Sequence, residues 1–409
     1  MPATMTGFEP RDAAELRDIV AEAVARERPL EIVGGGTKRG LGRPIEGAVE
    51  VSTASLAGAT VYEPDELVLT ASPALRLAEL EAMLAQSRQQ LAFEPPDLGP
   101  LLGAAPDAGT LGGALICNLA GPRRLTAGAA RDHILGFKGV NGHGEAFKSG
   151  GRVVKNVTGY DLSKLIAGSY GTLAVLTEVS VKVLPRPEKT RTVLVRGLDD
   201  AAAIRALAGA LNSIHEPTAA AHLPAAAAAR SAVSYVAQAR GAVTAIRLEG
   251  FAPSVEARCA ALKAELGALG EVEELHGMNS ALLWKALRDA EPLVGRPELV
   301  VWRVSVPPAQ AASVVAAAGP VALHWYDWAG GLVWLGLPPG EPDGGAVRLR
   351  AAVAAAGGHA TLVRADAALR RAVPVFQPQP PALAALSARI KQSFDPRRIL
   401  NRGRMYEAL

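Results

Sequence analysis

The chain has 409 residues and a formal net charge of +3 at neutral pH. This length predicts two domains, and the weak charge gives no electrostatic reason to expect nucleic acid as a partner. Hydrophobic residues make up 49% of the chain but aromatic residues only 4%, so Ala, Val and Leu must form most of the core.

Neither a membrane segment nor a secretory signal is predicted. No apolar run approaches the ~18 residues that span a bilayer, and the N-terminal region carries Glu9, Arg11 and Asp12 where a signal would be apolar. Cys117 and Cys259 lie far apart and form no CxxC motif, which is typical of a reducing compartment. We therefore expect a cytoplasmic protein without direct membrane insertion.

The N-terminal region predicts helices that alternate with short strands. Apolar residues at helical spacing predict a helix over 12–27, with Asp12 as its N-cap and Glu15 as the partner in a capping box. Further elements are predicted as strands over 30–33 and 49–52, a strand pair over 61–72 and an amphipathic helix over 75–91.

A glycine-rich turn follows the first strand. Gly34, Gly35, Gly36 and Thr37 are followed by Lys38. The next residue is arginine, which excludes both a Walker A loop and a GxGxxG fingerprint beginning at Gly34. What remains is a nest of backbone N–H groups beside a cation, a pattern able to bind a pyrophosphate. A plain glycine turn without a ligand is the alternative interpretation.

Residues 109–185 hold a second and denser glycine pattern. They begin with GTLGG at 109–113 and end with the strand predicted over 173–184, and glycine lets a ligand approach the backbone. Other predicted elements are a strand or short helix over 114–119, a hairpin with strands over 134–140 and 145–148, and a helix over 162–167. We interpret this segment as a wall of backbone N–H groups against a large, flat, phosphorylated ligand.

Beyond Pro187 the chain becomes rich in alanine and has no further glycine nest. Strands are predicted over 191–196, 243–248, 299–306 and 332–337, and helices over 199–210, 254–269 and 279–290. The low-complexity sequence AAAHLPAAAAA at 219–229 fits either a helix or a loop. This alternation predicts an α+β domain.

The order of these motifs resembles one known family. The glycine nest, GTLGG, DHILGF with NGHGEAF, and GYDLSKLIAGSYGTLAVLTEVSVKVLP together resemble the FAD-binding domain of the vanillyl-alcohol oxidase family, the PCMH-type flavin fold. LAGPRR and KNVTGYDLSKLIAGSYGTL are similar to the FAD-binding subunits of glycolate oxidases within that family. The tail, 394–405, is similar to the family's FDP…LNPGR ending, although Arg402 stands where proline is usual.

The resemblance implies an α+β fold: a PCMH-type FAD-binding domain of two α+β subdomains over 1–186 and an α+β cap domain over 187–380. A C-terminal tail over 381–409 would return to the FAD domain. Six basic and two acidic residues lie between Leu386 and Leu409. They fit a solvated helix face, or a tail that folds over the flavin domain or docks on a partner.

The matched motifs imply which residues hold the cofactor. Residues 34–38 would hold the pyrophosphate, 109–113 the phosphates and ribityl chain, 118–123 the isoalloxazine side and 171–175 the adenosine half. Because neither His133 nor Cys117 stands in an attachment motif, we expect both in the core and the FAD non-covalent, with no metal. The implied FAD-binding residues are Gly34, Gly35, Gly36, Thr37, Lys38, Gly109, Thr110, Leu111, Gly112, Gly113, Asn118, Gly121, Arg123, Asp132, Gly171, Leu173 and Val175.

Oxidation of a 2-hydroxy acid also needs a cation for the carboxylate and an acceptor for the hydroxyl proton. Arg288 and Arg303, each near a tryptophan, are the candidates for the cation, and His324 is the nearest candidate for the acceptor. A salt bridge or a core position is the alternative for each. Related dehydrogenases hold a metal through an HxH pair, a motif that this sequence does not contain.

The resemblance therefore implies an FAD-binding subunit of a complex that oxidises glycolate or D-lactate to the 2-oxo acid. Its implied partners are a sister flavoprotein subunit and an iron–sulfur subunit, since two cysteines are too few for a cluster in this chain. Any association with a membrane would occur through these partners. One alternative is a non-catalytic FAD-binding or electron-relay subunit, and a weaker one is a stand-alone oxidase of another alcohol or sugar.

Overall fold

The computed structural model describes residues 7–152 and 159–409. The beginning of the KNVTGYD segment, at 155–158, lies outside the described residues. The chain forms two units. The first contains the chain up to Ala120, Gly128–Pro185 and Pro378–Leu409, and the second contains Gly121–Ala127 and Arg186–Gln377.

The strands of the described residues are, in chain order, β1 (Leu30–Val33), β2 (Val49–Ser52), β3 (Val61–Glu63), β4 (Val68–Ala71), β5 (Gln89–Gln90), β6 (Ile134–Asn141), β7 (Ala146–Gly150), β8 (Ala174–Lys182), β9 (Leu184–Pro185), β10 (Lys189–Arg196), β11 (Ala219–Leu223), β12 (Val243–Gly250), β13 (Val272–His276), β14 (Val300–Ser305), β15 (Leu323–Asp327), β16 (Leu332–Leu337) and β17 (His359–Arg364).

The α-helices are α1 (Ala13–Ala25), α2 (Leu77–Gln86), α3 (Leu111–Ile116), α4 (Arg124–Ala127), α5 (Leu162–Ile166), α6 (Asp200–Leu211), α7 (Ala225–Ala228), α8 (Ser234–Ala237), α9 (Ala252–Leu266), α10 (Gly277–Arg288), α11 (Ala311–Ala317), α12 (Ala346–Ala356), α13 (Ala367–Ala372) and α14 (Pro381–Phe394). Within residues 7–152 and 159–409, no helix is long and apolar enough to cross a membrane.

The first unit is built on an antiparallel five-stranded sheet in the order β3-β4-β8-β6-β7. Its core contains fully buried residues of β4, α2 and α3, such as Leu69, Leu80 and Leu115. The short parallel pair β1 and β2 has a separate core with α1, which includes Leu16 of the helix and Leu400 of the tail. The C-terminal residues are therefore part of the hydrophobic interior of this unit.

The helix predicted at the N-terminus is confirmed as α1. Asp12 caps it by accepting hydrogen bonds from the backbone N–H groups of Ala14 and Glu15, at 2.8 and 2.9 Å. The predicted capping box differs in detail, because the Glu15 carboxylate accepts from the backbone of Arg11 rather than from Asp12. The Glu15 carboxylate also forms an ion pair with the Arg11 guanidinium. Glu15 therefore binds both the backbone and the side chain of the residue that precedes the N-cap.

The second unit contains one antiparallel eight-stranded sheet in the order β13-β10-β12-β11-β15-β16-β14-β17. Val193 of β10 packs in a core with Val255 of α9. Its neighbour Thr192 points to the other face, where its hydroxyl accepts a 2.8 Å hydrogen bond from the Trp284 indole of α10. Helices thus lie against both faces of the sheet.

Four strands of this sheet were missed by sequence patterns: β11, β13, β15 and β17. The alanine-rich segment 219–229, predicted as a helix or a loop, contains β11 followed by α7. All five residues of β11 are buried between β12 and β15. Alanine has little intrinsic preference for strands, so the tertiary position of this segment, rather than its composition, determines its structure.

The segment 121–127 groups with the second unit, whereas the predicted FAD-binding domain contained it. The contacts give the physical reason. Arg123 donates two 2.9 Å hydrogen bonds to Glu249 of β12, and the carbonyl of Gly121 accepts from the Trp328 indole at 3.1 Å. The chain therefore contributes to the second unit twice.

Candidate cofactor site

The first unit contains an open cleft that encloses about 760 Å³ of empty space, including the part open to solvent. Four stretches of chain line it: the glycine turn after β1, the beginning of α3, the turn before β8 and the C-terminal residues Asn401 and Arg404. The predicted residues that line the cleft are Gly34, Gly35, Gly36, Thr37, Lys38, Thr110, Gly112, Gly113, Gly171 and Val175.

The glycine turn lies directly against the segment that precedes α3. A Cβ atom added at Gly35 would lie 1.9 Å from the carbonyl oxygen of Ala108, and one at Gly34 would lie 3.0 Å from the Thr110 hydroxyl. At Gly36, which has a φ of +74°, the added atom would meet nothing within 4 Å. Glycine is therefore required at Gly34 and Gly35, where the turn packs against residues 108–110. At Gly36 the backbone is not covered by neighbouring atoms on the side where a Cβ would stand.

The beginning of α3 is built with similarly little side-chain bulk. Thr110 caps the helix by accepting a 3.2 Å hydrogen bond from the backbone of Gly113. Gly112 lies so close to Pro73 that an added Cβ would stand 2.6 Å from the proline ring. Two backbone segments thus form a cradle of glycines that a planar or phosphorylated group can approach closely.

Three cations line this cleft: Arg39, which forms ion pairs with Glu31 and Glu50, and the more deeply buried Lys38 and Arg404. Burial lowers the pKa of Lys38, although the electrostatic influence of Cys117 and Asp97 opposes the shift, and its ammonium donates to the Thr37 hydroxyl at 3.2 Å. Burial likewise lowers the pKa of Arg404, against the influence of Glu31. Both groups are thus held where a charge is poorly solvated, so an anionic ligand would stabilise them.

Cys117 lies in the cleft rather than in the core where the sequence analysis placed it. It follows the last residue of α3, and burial raises the pKa of its thiol to about 11 even though Lys38 and Arg404 act in the opposite direction. His133 is fully buried, and its ring lies 5.2 Å from that of Phe93. The histidine therefore has the expected core position.

The other predicted FAD-binding residues do not line the cleft. Leu111 and Leu173 are buried in the core of the first unit. Gly109 lies next to Lys38, since an added Cβ would be 3.4 Å from the Lys38 ammonium nitrogen. Asn118 accepts from the backbone of Arg131. The remaining predicted residues are Asp132, which accepts from the backbone of Ala129, and Gly121 and Arg123, which belong to the second unit.

The tail residues in the cleft were missed by the sequence analysis. Asn401 accepts a 2.8 Å hydrogen bond from the backbone of Ile32 in β1 and donates a 2.7 Å bond to the carbonyl of Tyr170. It thus connects two walls of the cleft. The only available signal was the similarity of the tail to the family's C-terminal motif, which gave no side-chain position.

Arg303, a predicted carboxylate-binding residue, lies in a cationic group of the second unit. The Trp328 ring has the guanidinium carbon of Arg303 at 4.9 Å and that of Arg124 at 4.7 Å from its centroid. Burial lowers the pKa of His359, and the positive charges of Arg303 and Arg124 lower it further. Arg303 and Arg124 thus place two guanidinium groups beside one indole ring, and both charges act on the His359 imidazole.

His324 belongs to a different cluster around Asp200, the first residue of α6. The Asp200 carboxylate accepts hydrogen bonds from Tyr326, at 2.5 Å, and from His324 Nε2, at 3.1 Å, and His222 Nε2 lies 3.4 Å from it. Burial alone would raise the pKa of Asp200, but the nearby His222 ring and the hydrogen bonds from His324 and Tyr326 hold it well below its usual range. Burial and the hydrogen bond to Asp200 raise the pKa of Tyr326 far above its usual value.

Strand register places Arg303 and His324 on opposite faces of the eight-stranded sheet. Arg303 pairs with Trp334, and Trp334 pairs with Trp325, so these three side chains share one face. The Trp325 and Trp334 rings stack at 5.6 Å on that face. His324 precedes Trp325 and must point to the other face. These two candidates therefore cannot contact one small substrate together.

Arg288, the third candidate, is engaged by its sequence neighbour. Its guanidinium donates to both carboxylate oxygens of Asp289, at 2.8 and 3.0 Å. A bidentate pair of this kind neutralises the charge that a substrate carboxylate would need. In residues 7–152 and 159–409, no group of three or more His, Cys, Asp or Glu side chains is arranged to hold a metal ion.

The glycine cradle and its cations suit a phosphorylated ligand, and the comparisons identify the chain as an FAD-binding flavoprotein. A family model described as an FAD binding domain matches residues 7–150. The solved 4-ethylphenol oxidase from Gulosibacter chungangensis superposes with a TM-score of 0.70 at 14% identity, over 97% of this chain and 88% of that one. p-Cresol methylhydroxylase gives 0.69 at 14% identity, over 97% and 87%. The predicted PCMH-type fold and the FAD cofactor are confirmed.

The sequence relatives define the family more narrowly. The chain is 35% identical to the glycolate oxidase subunit GlcE of Escherichia coli over 399 residues, which is 96% of this chain and 97% of that protein. It belongs to the GlcE family of FAD-dependent oxidoreductases. The glycolate oxidase subunit GlcD of Bacillus subtilis is 33% identical over 186 residues, which cover 45% of this chain and 38% of that protein.

Proposed function

We propose that this chain is the FAD-carrying subunit of a complex that oxidises glycolate, or D-lactate, to the 2-oxo acid. Glyoxylate is the product from glycolate. The observation that carries this proposal is the similarity to the glycolate oxidase subunit GlcE over almost the whole of both chains. A D-lactate dehydrogenase of Archaeoglobus fulgidus, 31% identical over 179 residues, supports the same class of substrate.

In this proposal the first unit is the FAD domain and the second is the cap or substrate domain. Bound FAD supplies the hydride acceptor. The residues of the cleft hold the cofactor without a covalent bond: the His133 ring is enclosed in the core, and burial keeps the thiol of Cys117 protonated at neutral pH. Lys38, which lines the cleft, provides positive charge for its diphosphate.

The substrate carboxylate would bind at the guanidinium groups of Arg303 and Arg124, beside the neutral imidazole of His359. A hydrogen bond to a charged group contributes about 1.5–3 kcal/mol, and a planar guanidinium also orients the carboxylate. The ring of Trp328 holds both arginines in place through cation–π contacts. This assignment retains Arg303 from the sequence analysis and adds Arg124.

Electrons would then pass from this subunit to a sister flavoprotein and an iron–sulfur subunit. The name of the E. coli relative, a subunit of glycolate oxidase, supports a complex of several chains. We propose a cytoplasmic location for this chain, with any contact to a membrane made by these partners.

A second candidate is a non-catalytic FAD-binding or electron-relay subunit whose sister flavoprotein holds the active site. The opposite placement of Arg303 and His324 favours it, because the predicted anchor and proton acceptor do not form one site. The pairing of Arg288 with Asp289 removes another candidate anchor.

One experiment separates the two candidates. Glycolate is added anaerobically to the complete complex that carries either wild-type chain, Arg303→Ala or Arg205→Ala, and the flavin absorbance and FAD content are measured. Arg205, an exposed residue of α6, is the matched control. Catalysis by this chain predicts that only Arg303→Ala leaves the flavins of the complex oxidised while FAD is retained.

Equal bleaching in all three complexes would support the relay subunit instead. Flavins that stay oxidised in the wild-type complex with excess glycolate, and with excess D-lactate, would contradict both versions of the hydroxy-acid proposal.

A further inference from the structure

The C-terminal segment reaches the FAD cleft through a buried ion pair. Lys391 Nζ donates to Asp395 Oδ2 at 2.7 Å, and the two side chains are 3% and 0% exposed. The same ammonium donates to the carbonyls of Thr172 and Leu400, at 2.7 and 3.0 Å. Asp395 in turn accepts from the backbone of Leu400, so the turn after α14 has a fixed conformation beside the strand β8.

Backbone hydrogen bonds like those between parallel strands attach the next residues of the tail to β1, which leads into the glycine turn. The backbone N–H of Leu30 donates to the carbonyl of Ile399 at 2.7 Å, and that of Asn401 donates to the carbonyl of Leu30 at 3.0 Å. Asn401 also binds Ile32 and Tyr170 through its side chain. Gly171 must remain glycine here, because an added Cβ would lie 2.6 Å from the Asn401 amide nitrogen.

Arg404 follows these residues and brings its side chain to the cleft. Only 7% of the residue is exposed. Its guanidinium donates to the carbonyl of Arg43 at 3.4 Å, and its separation from Glu31 is 3.9 Å, which is long for an ion pair. The neighbouring residues therefore hold the guanidinium in position and compensate its charge weakly.

Lys38, which lies in the N-terminal part of the sequence, also lines the cleft. Both Lys38 and Arg404 act electrostatically on Cys117, the residue that follows α3, so two cations influence one point of the cleft. Arg39, which also lines the cleft, acts on Arg404 as a like charge, so an anion bound here would relieve this repulsion. A diphosphate would supply two negative charges and acceptor oxygens to both Lys38 and Arg404.

We propose that Arg404, supplied by the C-terminal segment, is a second cationic ligand of the FAD diphosphate beside Lys38. The FAD site is then closed by residues from both ends of the chain, and FAD binding and attachment of the tail stabilise each other. The two cations differ in origin: Lys38 comes from a turn formed locally, whereas Arg404 requires that residues 391–401 be in place.

The test measures FAD affinity of the full chain by flavin fluorescence during titration of the FAD-free protein. Arg404→Gln removes the proposed ligand, and Arg402→Gln removes the same charge from an exposed position two residues away. We expect Arg404→Gln to weaken FAD binding by about tenfold or more, as for one lost charge-assisted bond, and Arg402→Gln by less than about twofold.

The variant Arg404→Lys distinguishes the loss of the positive charge from a general effect of substitution on folding. This variant keeps the cation, so we expect it to recover part of the lost affinity and to show a steeper decrease of affinity with salt than Arg404→Gln. FAD should also protect the tail of the wild-type chain against limited proteolysis. Equal FAD affinity in Arg404→Gln and Arg402→Gln, or equal loss in Arg404→Gln and Arg404→Lys, would overturn the proposal.

Discussion

Lys391 and Asp395 form a 2.7 Å ion pair from which solvent is excluded, and this pair fixes the C-terminal turn against the FAD-binding unit. Loss of one partner leaves a buried charge and several backbone groups without their bonds. We therefore expect Lys391→Met to lower the free energy of unfolding by about 3–5 kcal/mol.

The control is Lys164→Met, which removes an exposed pair with Asp161 whose side chains are 46% and 48% exposed. Exposed pairs contribute about 0–1 kcal/mol, so this variant should unfold almost as the wild type does. Chemical denaturation of both variants gives the comparison. Equal stability of the two would show that the tail is attached by other contacts.

Glu249 predicts a pH dependence for the second unit. Burial would raise the pKa of its carboxyl, but Arg247, Arg123 and Thr218 outweigh burial and lower the pKa to about 2. The ionised carboxylate therefore stabilises the folded state above pH ~4.5, and this contribution is lost as the pH falls from about 4.5 to about 2.

We expect Glu249→Gln to lower the free energy of unfolding by about 3 kcal/mol at pH 7, and the difference from wild type to disappear near pH 2. Denaturant titrations between pH 2 and pH 7 measure this difference. Glu256→Gln, which alters an exposed glutamate paired with Lys189, should leave the stability almost unchanged over the same pH range. A difference for Glu249→Gln that is independent of pH would contradict this interpretation.

Cys117 predicts a slow thiol reaction that reports on the cleft. Its pKa of about 11 means that about one thiol in a thousand is ionised at pH 8. In the Cys259→Ser background, alkylation of the FAD-free chain should be slow at pH 8 and should accelerate about tenfold per pH unit below pH 11.

Bound FAD should slow the alkylation further, because Cys117 lies in the cleft. Mass spectrometry of the labelled chain, with and without FAD, measures both effects. Fast labelling at pH 7 that FAD does not change would place the cofactor elsewhere.

The Asp200 cluster predicts a loss of stability without a loss of catalysis. Asp200→Asn replaces the carboxylate that accepts from Tyr326 and His324, and we expect it to destabilise the second unit by about 1–3 kcal/mol. The rate per bound FAD in the complete complex should change little, since the cluster lies on the opposite face from Arg303. A large loss of rate at unchanged FAD content would identify His324 as a group that acts in the reaction.

Local motifs predicted the parts of the molecule that short stretches of sequence determine. Gly34–Lys38 and the GTLGG segment were identified because a tight approach to backbone requires glycine itself. Asn401 was not, because its partner Ile32 lies 369 residues away and no spacing rule connects them. The strand β11 was missed because burial overrides the low strand preference of alanine.

The candidate catalytic residues of the second unit show a different limit of prediction from sequence. Residue type alone suggested that Arg303 and His324 could serve one substrate. Their separation depends on the register of β14, β15 and β16, which is set by pairing across the sheet and is not visible in either strand. Arg123 was likewise assigned to the flavin by its motif, whereas it binds Glu249 of β12.

The FAD content of Gly35→Ala tests the central assignment of the cleft most directly. The added methyl group would stand 1.9 Å from the carbonyl oxygen of Ala108, so the glycine turn and the segment before α3 must separate. Gly209→Ala is the matched control, because nothing lies within 4 Å of its added Cβ, in the last turn of α6. We predict one FAD per chain for the wild type and for Gly209→Ala, and none for Gly35→Ala. Full FAD content in Gly35→Ala would contradict the location of the cofactor in this cleft.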